Sequence, residues 1–169
     1  MRRTALGLAI MLVAVFGVVS CSVPRNGRSG VTVDAEGNLM ATIAACPDNP
    51  PDLVHLSGGG ANKQISSIDV DYDAPPRLGR TLSLRLEAPA DGWVAHPQPP
   101  TFVPDVDYYI RGLTRDNSNS TNVVRFRLAD RDRLSPGTVL IQENNEDNTK
   151  EVDVLVSQQA FEERAKRFC

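Results

Sequence analysis

His55 and His96 are the only imidazoles in the 169-residue chain, so a histidine base for serine hydrolysis must be one of them. Serine hydrolysis needs a nucleophile, a base and an acid held in contact. Ser57 follows His55 by two positions and opens Ser57-Gly58-Gly59-Gly60, but the chain contains no Gly-x-Ser-x-Gly elbow. His96 precedes Pro97 in a proline-rich stretch. Surface and turn histidines account for both, so the sequence reading assigns no catalytic residue and no enzyme activity. An enzyme would require His55 or His96 to meet a carboxylate or hydroxyl in a concave pocket.

Two stretches carry clustered side-chain oxygens: Asp116-Asn117-Ser118-Asn119 and Glu143-Asn144-Asn145-Glu146-Asp147-Asn148. Neither has the alternate ligands, central Gly and closing Glu of a calcium loop, so solvated hairpin loops are expected. Zinc is disfavoured because two cysteines and two histidines stand apart rather than at ligand spacing. Gly58-Gly59-Gly60-Ala61-Asn62-Lys63 lacks the Gly-Lys-Ser/Thr ending of a phosphate loop. No metal and no cofactor is expected. Trp93, Tyr72, Tyr108 and Tyr109 have the faces to stack on a sugar, but with aromatics at 5% most are expected in the core. The proline-rich stretch from Pro97 to Pro104 reads as an extended connection between strands.

The cysteines carry more information. Met1-Arg2-Arg3 is followed by sixteen uncharged positions, Ala5 to Ser20, rich in Ala, Leu, Val and Ile. A spanning helix needs about twenty apolar residues, so this run reads as the h-region of a signal peptide covering residues 1–20. An uncleaved N-terminal anchor helix is the alternative. Val18-Val19-Ser20-Cys21 resembles the lipobox of bacterial lipoproteins at all four positions. That resemblance implies a diacylglyceryl group on Cys21, which becomes the first residue of the mature chain. Two acyl chains give stable anchoring, each buried methylene contributing about 0.8 kcal/mol. The expected address is the extracytoplasmic face of the cell membrane. Arg2-Arg3 raises twin-arginine export, but Thr4-Ala5-Leu6 matches it poorly, and the general secretory route is expected.

The mature chain from Cys21 to Cys169 has 149 residues, with 16 basic against 21 acidic side chains and a net charge of −5. That is one domain's worth of chain. The charge argues against nucleic acid, whose partners present basic patches, and against adhesion of the domain itself to an anionic bilayer. Cys46 and Cys169 remain once Cys21 is lipidated. An even pair in an exported protein suggests a disulfide; free thiols, or Cys169 used between molecules, are the alternatives.

Residues 21–30 read as a lipidated flexible tether, from their Gly, Pro, Ser and Arg content. Residues 31–169 read as a single β-rich domain. Val31-Thr32-Val33 and Leu39 to Cys46 flank a Glu-Gly-Asn turn and predict a hairpin. Strands are predicted at Asp52 to Leu56, ended by the Ser-Gly run, at Ile65 to Tyr72, at Leu82-Leu84-Leu86, and from Trp93. Further strands are predicted at Tyr108 to Leu113, Val123 to Leu128, Val139 to Gln142 and Val152 to Val156. A short turn is expected at Asp130 to Leu134. A helix is predicted from N-cap Ser157 to Phe168, with Phe161, Ala165 and Phe168 on one face. Short strands cut by Gly and Pro predict an all-β, immunoglobulin- or fibronectin-like sandwich with a short C-terminal α-helix.

Seven segments together resemble a group of uncharacterised lipid-anchored secreted proteins of high-GC Gram-positive (actinobacterial-type) bacteria. They are Gly30-Val31-Thr32-Val33-Asp34 with its following strand to Cys46, Gly92-Trp93, Tyr108 to Leu113, Thr114 to Ser118, Phe126 to Asp130, Leu134 to Leu140, and Phe161 to Cys169. The resemblance implies a compact β-sandwich, a C-terminal helix and a Cys46–Cys169 bridge, and it carries no activity. The expected role is a non-catalytic binding or structural module of the cell envelope, with an envelope protein or glycan as partner. An extracytoplasmic hydrolase or carbohydrate-active enzyme, and an accessory subunit of an envelope complex, are the alternatives.

Overall fold

Alternation of apolar and polar residues along short segments builds ten strands, β1 (Gly27–Val33), β2 (Leu39–Ala45), β3 (Leu53–Gly59), β4 (Ile68–Asp73), β5 (Thr81–Arg85), β6 (Val94–His96), β7 (Asp107–Leu113), β8 (Val124–Phe126), β9 (Thr138–Asn144) and β10 (Glu151–Ser157). Among the described residues one helix, α1 (Gln158–Ala165), follows β10, and 3-10 turns occupy Leu128–Arg133 and Lys166–Phe168. The computed structural model describes residues 23–59, 67–76 and 79–169. The expected leader (1–20), Cys21 and the centre of the Gly-rich segment lie outside them.

Two five-stranded antiparallel sheets face each other, in the orders β10-β9-β1-β2-β5 and β6-β4-β3-β7-β8. The chain crosses between them after β2, returns to place β5 beside β2, and crosses again to place β7 beside β3. These interlocked crossovers make the Greek-key sandwich of immunoglobulin-like domains, with β6 added at one edge and the β9–β10 hairpin at another. Tyr108, near the start of β7, reinforces the assignment. Its hydroxyl accepts from Val103 N at 2.8 Å and reaches Val103 O at 3.3 Å, the tyrosine-corner contact of this fold class.

The main core lies between the sheets. Val31, Leu39, Ala41, Ile43 and Leu84 from the first sheet meet Val54, Leu56, Tyr72, Tyr108, Ile110 and Phe126 from the second. A smaller core forms on the outer side of the first sheet, where Phe161 and Ala165 of α1 cover Ala44, Val139 and Ile141. The helix begins where the sequence places it, with Ser157 Oγ accepting from Ala160 N at 3.2 Å. It docks because residue 30 has no side chain. A Cβ on Gly30 would overlap Val139 Cγ1 and stand 3.2 Å from Phe161 Cε2. Being covered on both sides, β1 and β2 read as nearly continuous buried runs rather than alternating ones.

The edges where the sheets meet are tied by polar side chains acting in place of backbone. Gln142 on β9 accepts from Arg125 N at 2.7 Å and donates to Arg125 O at 2.8 Å, occupying the free ladder groups of edge strand β8. Thr121 Oγ1 accepts from Gly112 N at 2.7 Å and pairs with Ser29 Oγ. At the β1–β2 turn Asp34 accepts from Asn38 N at 2.8 Å and Glu36 N at 3.1 Å, and it pairs with Arg85 of β5 at 2.6 Å. Hydrogen bonds from Asn38, then Arg85, hold the Asp34 carboxyl down at about 2.

Three sequence expectations change. Strand β1 starts at Gly27, so residues 27–30 belong to the sheet rather than to the tether, and Ser29 is fully buried. Strand β3 continues through Ser57, Gly58 and Gly59, because Gly58 faces inward against the Tyr108 ring, where a side chain has no room. His96 ends strand β6 instead of standing in a turn. The Cys46–Cys169 disulfide is formed, joining the end of β2 to the segment after α1.

Candidate binding face

Helix α1 covers the first sheet, so among the described residues the second sheet is the one whose outer surface is open. Inward Val54, Leu56, Val70, Tyr72, Tyr108 and Ile110 leave the alternate positions outside: His55 and Ser57 on β3, Asp69, Asp71 and Asp73 on β4, Tyr109 and Arg111 on β7. Antiparallel register brings these into rows. His55 lies opposite Asp71 on one side and Arg111 on the other, while Ser57 lies between Asp69 and Tyr109. The face runs from an acidic stripe on β4, through His55 and Ser57, to a basic stripe on β7 and β8, where Arg125 pairs across from Tyr109.

His55 Nδ1 sits 2.8 Å from Asp71 Oδ1 and 3.6 Å from Asp69 Oδ1, with its side chain 19% exposed. A carboxylate acceptor places the proton on Nδ1 and leaves Nε2 of the neutral ring as a free acceptor. His96 Nε2 lies 3.4 Å from Asp73 Oδ2, and the other Asp73 oxygen takes Arg115 at 2.6 Å. Both histidines therefore meet carboxylates, and neither is isolated. Ser57, on the face of His55 two residues on, has no hydrogen bond to it among the described residues. Of the two contacts that join a serine hydrolase's nucleophile, base and acid, the base–acid pair is present and the nucleophile–base contact is not.

His55, Ser57, Tyr109, Arg111 and Val123 line a shallow cleft of ≈ 280 Å³. Tyr109 is 39% exposed there, whereas Tyr72, Tyr108 and Trp93 are buried in the core as the sequence suggested for most aromatics. The cleft thus combines an aromatic wall, a guanidinium, an imidazole and a hydroxyl on rigid sheet backbone. These groups supply stacking on one side and hydrogen bonds of both polarities on the other.

The oxygen-rich loops serve their own backbone. Asp116 Oδ1 accepts from Ser118 N at 3.0 Å, and hydrogen bonding from the Ser118 side chain, then from its backbone, holds the carboxyl below the usual range. Asn145 Oδ1 accepts from Thr149 N at 2.9 Å and Lys150 N at 3.1 Å. Among the described residues no group of three or more His, Cys, Asp or Glu is arranged to hold a metal ion, and no helix is long and apolar enough to cross a membrane.

Alternation alone puts His55 with Ser57, and Asp69 with Asp71 and Asp73, on shared faces. Sequence reasoning missed that β3, β4 and β7 are neighbours, because the pairing of β3 with β7 joins residues 48 to 60 positions apart. Tyr109 was legible only as half of Tyr108-Tyr109, one of which must point outward in a strand. Comparison with protein families, curated proteins and solved structures found no match to this chain.

Proposed function

We propose that this chain is a lipid-anchored protein of the cell envelope whose folded domain is a non-catalytic binding module, using the open face of its second sheet. Exposure of Tyr109 beside Arg111, His55 and Ser57 carries the reading. An aromatic left out of the core, on a preformed surface with converging polar groups, is the signature of a ligand face rather than of a scaffold. The ligand class it fits is an envelope glycan, stacked on the ring and held by the guanidinium, or a polar peptide segment of an envelope protein. The Cys46–Cys169 disulfide supports an oxidising compartment outside the cytoplasm, in keeping with the leader and the lipobox-like run ending at Cys21.

Two measurements test the halves of the proposal. Mass spectrometry of the native product is expected to find a diacylglyceryl group on an N-terminal Cys21; an unprocessed leader or a bare cysteine refutes the address. Chemical-shift mapping against neutral and acidic envelope glycan fragments is expected to perturb residues around 109, and Tyr109→Ala is expected to abolish the effect without loss of stability. Perturbation elsewhere, or unchanged binding by the variant, refutes the assigned face.

The His55–Asp71 pair favours one second reading, an extracytoplasmic hydrolase with Ser57 as nucleophile. It predicts ester turnover lost in both Ser57→Ala and His55→Ala, and covalent labelling of Ser57 by a fluorophosphonate.

A further inference from the structure

The expected tether of residues 22–30 is far shorter in the fold. Pro24 O accepts from Ser120 N at 2.9 Å, and Asn26 N donates to Ser120 O at 2.7 Å, so Arg25 is bridged in parallel to Ser120 in the loop after β7. Asn26 Nδ2 also donates to Asn49 O at 3.1 Å, in the connection between β2 and β3. Gly27 then enters the sheet opposite Ala45. The chain is therefore fastened to one end of the sandwich from Pro24 onward. Three residue steps separate Cys21 from Pro24, a reach of at most about 11 Å.

Register identifies what lies at that end. Strand β1 starts there, and β2, β7 and β9 finish there, since each runs antiparallel to its partner. Among the described residues, 46–52, 74–76, 79–80, 114–121 and 144–150 lie at that end, since β4 closes at Asp73 opposite Leu53 and β5 opens at Thr81 opposite Ala44. The turn at residues 34–38 caps the opposite end, about 23 Å away along a seven-residue strand. Of the exposed large apolar residues, Val94 stands beside this end opposite Asp73, and Val152 opposite Glu143.

Resting on the lipid-anchor reading, we infer that the loop end that includes residues 46–52, 114–121 and 144–150 is a membrane-apposed surface, held against lipid headgroups by a leash of only three residue steps. The leash brings this end to the headgroups. The cleft at Tyr109 then opens sideways, along the bilayer rather than toward it or away from it. Its ligand is reached by diffusion parallel to the membrane surface.

The test uses the native lipidated protein in phosphatidylcholine vesicles carrying nitroxide-labelled headgroups. A fluorophore is placed at Glu146→Cys, at the near end, or at Ala35→Cys, at the far end; both positions are exposed. The near label is expected to lose most of its emission and the far label little. Inserting twenty Gly/Ser residues after Ser22, which adds a root-mean-square span of about 25 Å, is expected to remove the difference. Equal quenching of the two labels without the insert, on protein whose Cys21 glyceride is verified by mass, overturns the orientation alone. Absence of the glyceride overturns the anchor reading and this inference with it.

Discussion

Replacing both bridged cysteines, Cys46→Ala with Cys169→Ala, removes the covalent tie between β2 and the segment after α1. Their sequence separation is 123, so the bridge closes a loop holding most of the described domain. In the chain-entropy model a loop of that length is worth about 5 kcal/mol, and measured values usually fall near 2–4 kcal/mol. A loss of about 3–5 kcal/mol is therefore expected. At about 2–4 °C per kcal/mol for a domain of this size, the melting temperature should fall by about 6–20 °C. Alanine is used because Cys46 is buried, and a serine hydroxyl there would add an unrelated desolvation cost. Since the bridge acts mainly on the unfolded chain, the variant should also show a larger urea m-value. Hydrogen exchange should report fraying of α1 before the sheets, because Phe161 and Ala165 then hold the helix alone. Urea and thermal melts beside oxidised wild type, shown by thiol titration to lack free thiols at Cys46 and Cys169, provide the measurement. A double variant melting within about 2 °C of wild type with an unchanged m-value would refute the reasoning, since less than about 1 kcal/mol would then rest on the bridge.

Gly30→Ala drives a methyl group into Val139 and toward Phe161, and overpacking of this kind costs about 1–3 kcal/mol in a urea titration, with α1 loosened first. Gln142→Leu leaves the backbone N–H and C=O of Arg125 without their partner, so a loss of about 1–3 kcal/mol is expected, with faster amide exchange at Arg125. The Asp34 carboxyl is depressed from 3.8 to about 2 in the folded protein, chiefly by Asn38. The unfolded chain then binds the proton more tightly, so the stabilisation is complete above pH 4 and lost as pH falls from about 4 through 2. Asp34→Asn should flatten that part of the acid profile, as an NMR titration of Asp34 and acid melts would record.

Local patterns carried much of the architecture. Strict alternation at Leu82-Leu84 and Ile68-Val70-Tyr72 appears as half-buried strands β5 and β4, and Ser157 caps α1 as its side chain and position suggest. Where local patterns misled, a distant contact had intervened. Gly58 and Gly59 look like a breaker, yet they extend β3 because the Tyr108 ring needs the space that a side chain at residue 58 would fill. Residues 27–30 look like a linker, yet they form β1 because β2 supplies a ladder, while Thr121 and Asn122 satisfy Ser29. Polar and glycine-rich composition reads as solvated only so long as no partner is known.

By itself the sequence determined the β class, the helix at the end and the scarcity of imidazoles, because each follows from residue type or from spacing within a few positions. Only the tertiary structure decided that Cys46 meets Cys169, that α1 blankets one sheet and leaves the other open, and that His55, Asp71, Arg111 and Tyr109 share a surface. Those outcomes depend on which strands become neighbours. That choice rests on the joint burial of side chains far apart in the chain, and no short stretch of residues records it.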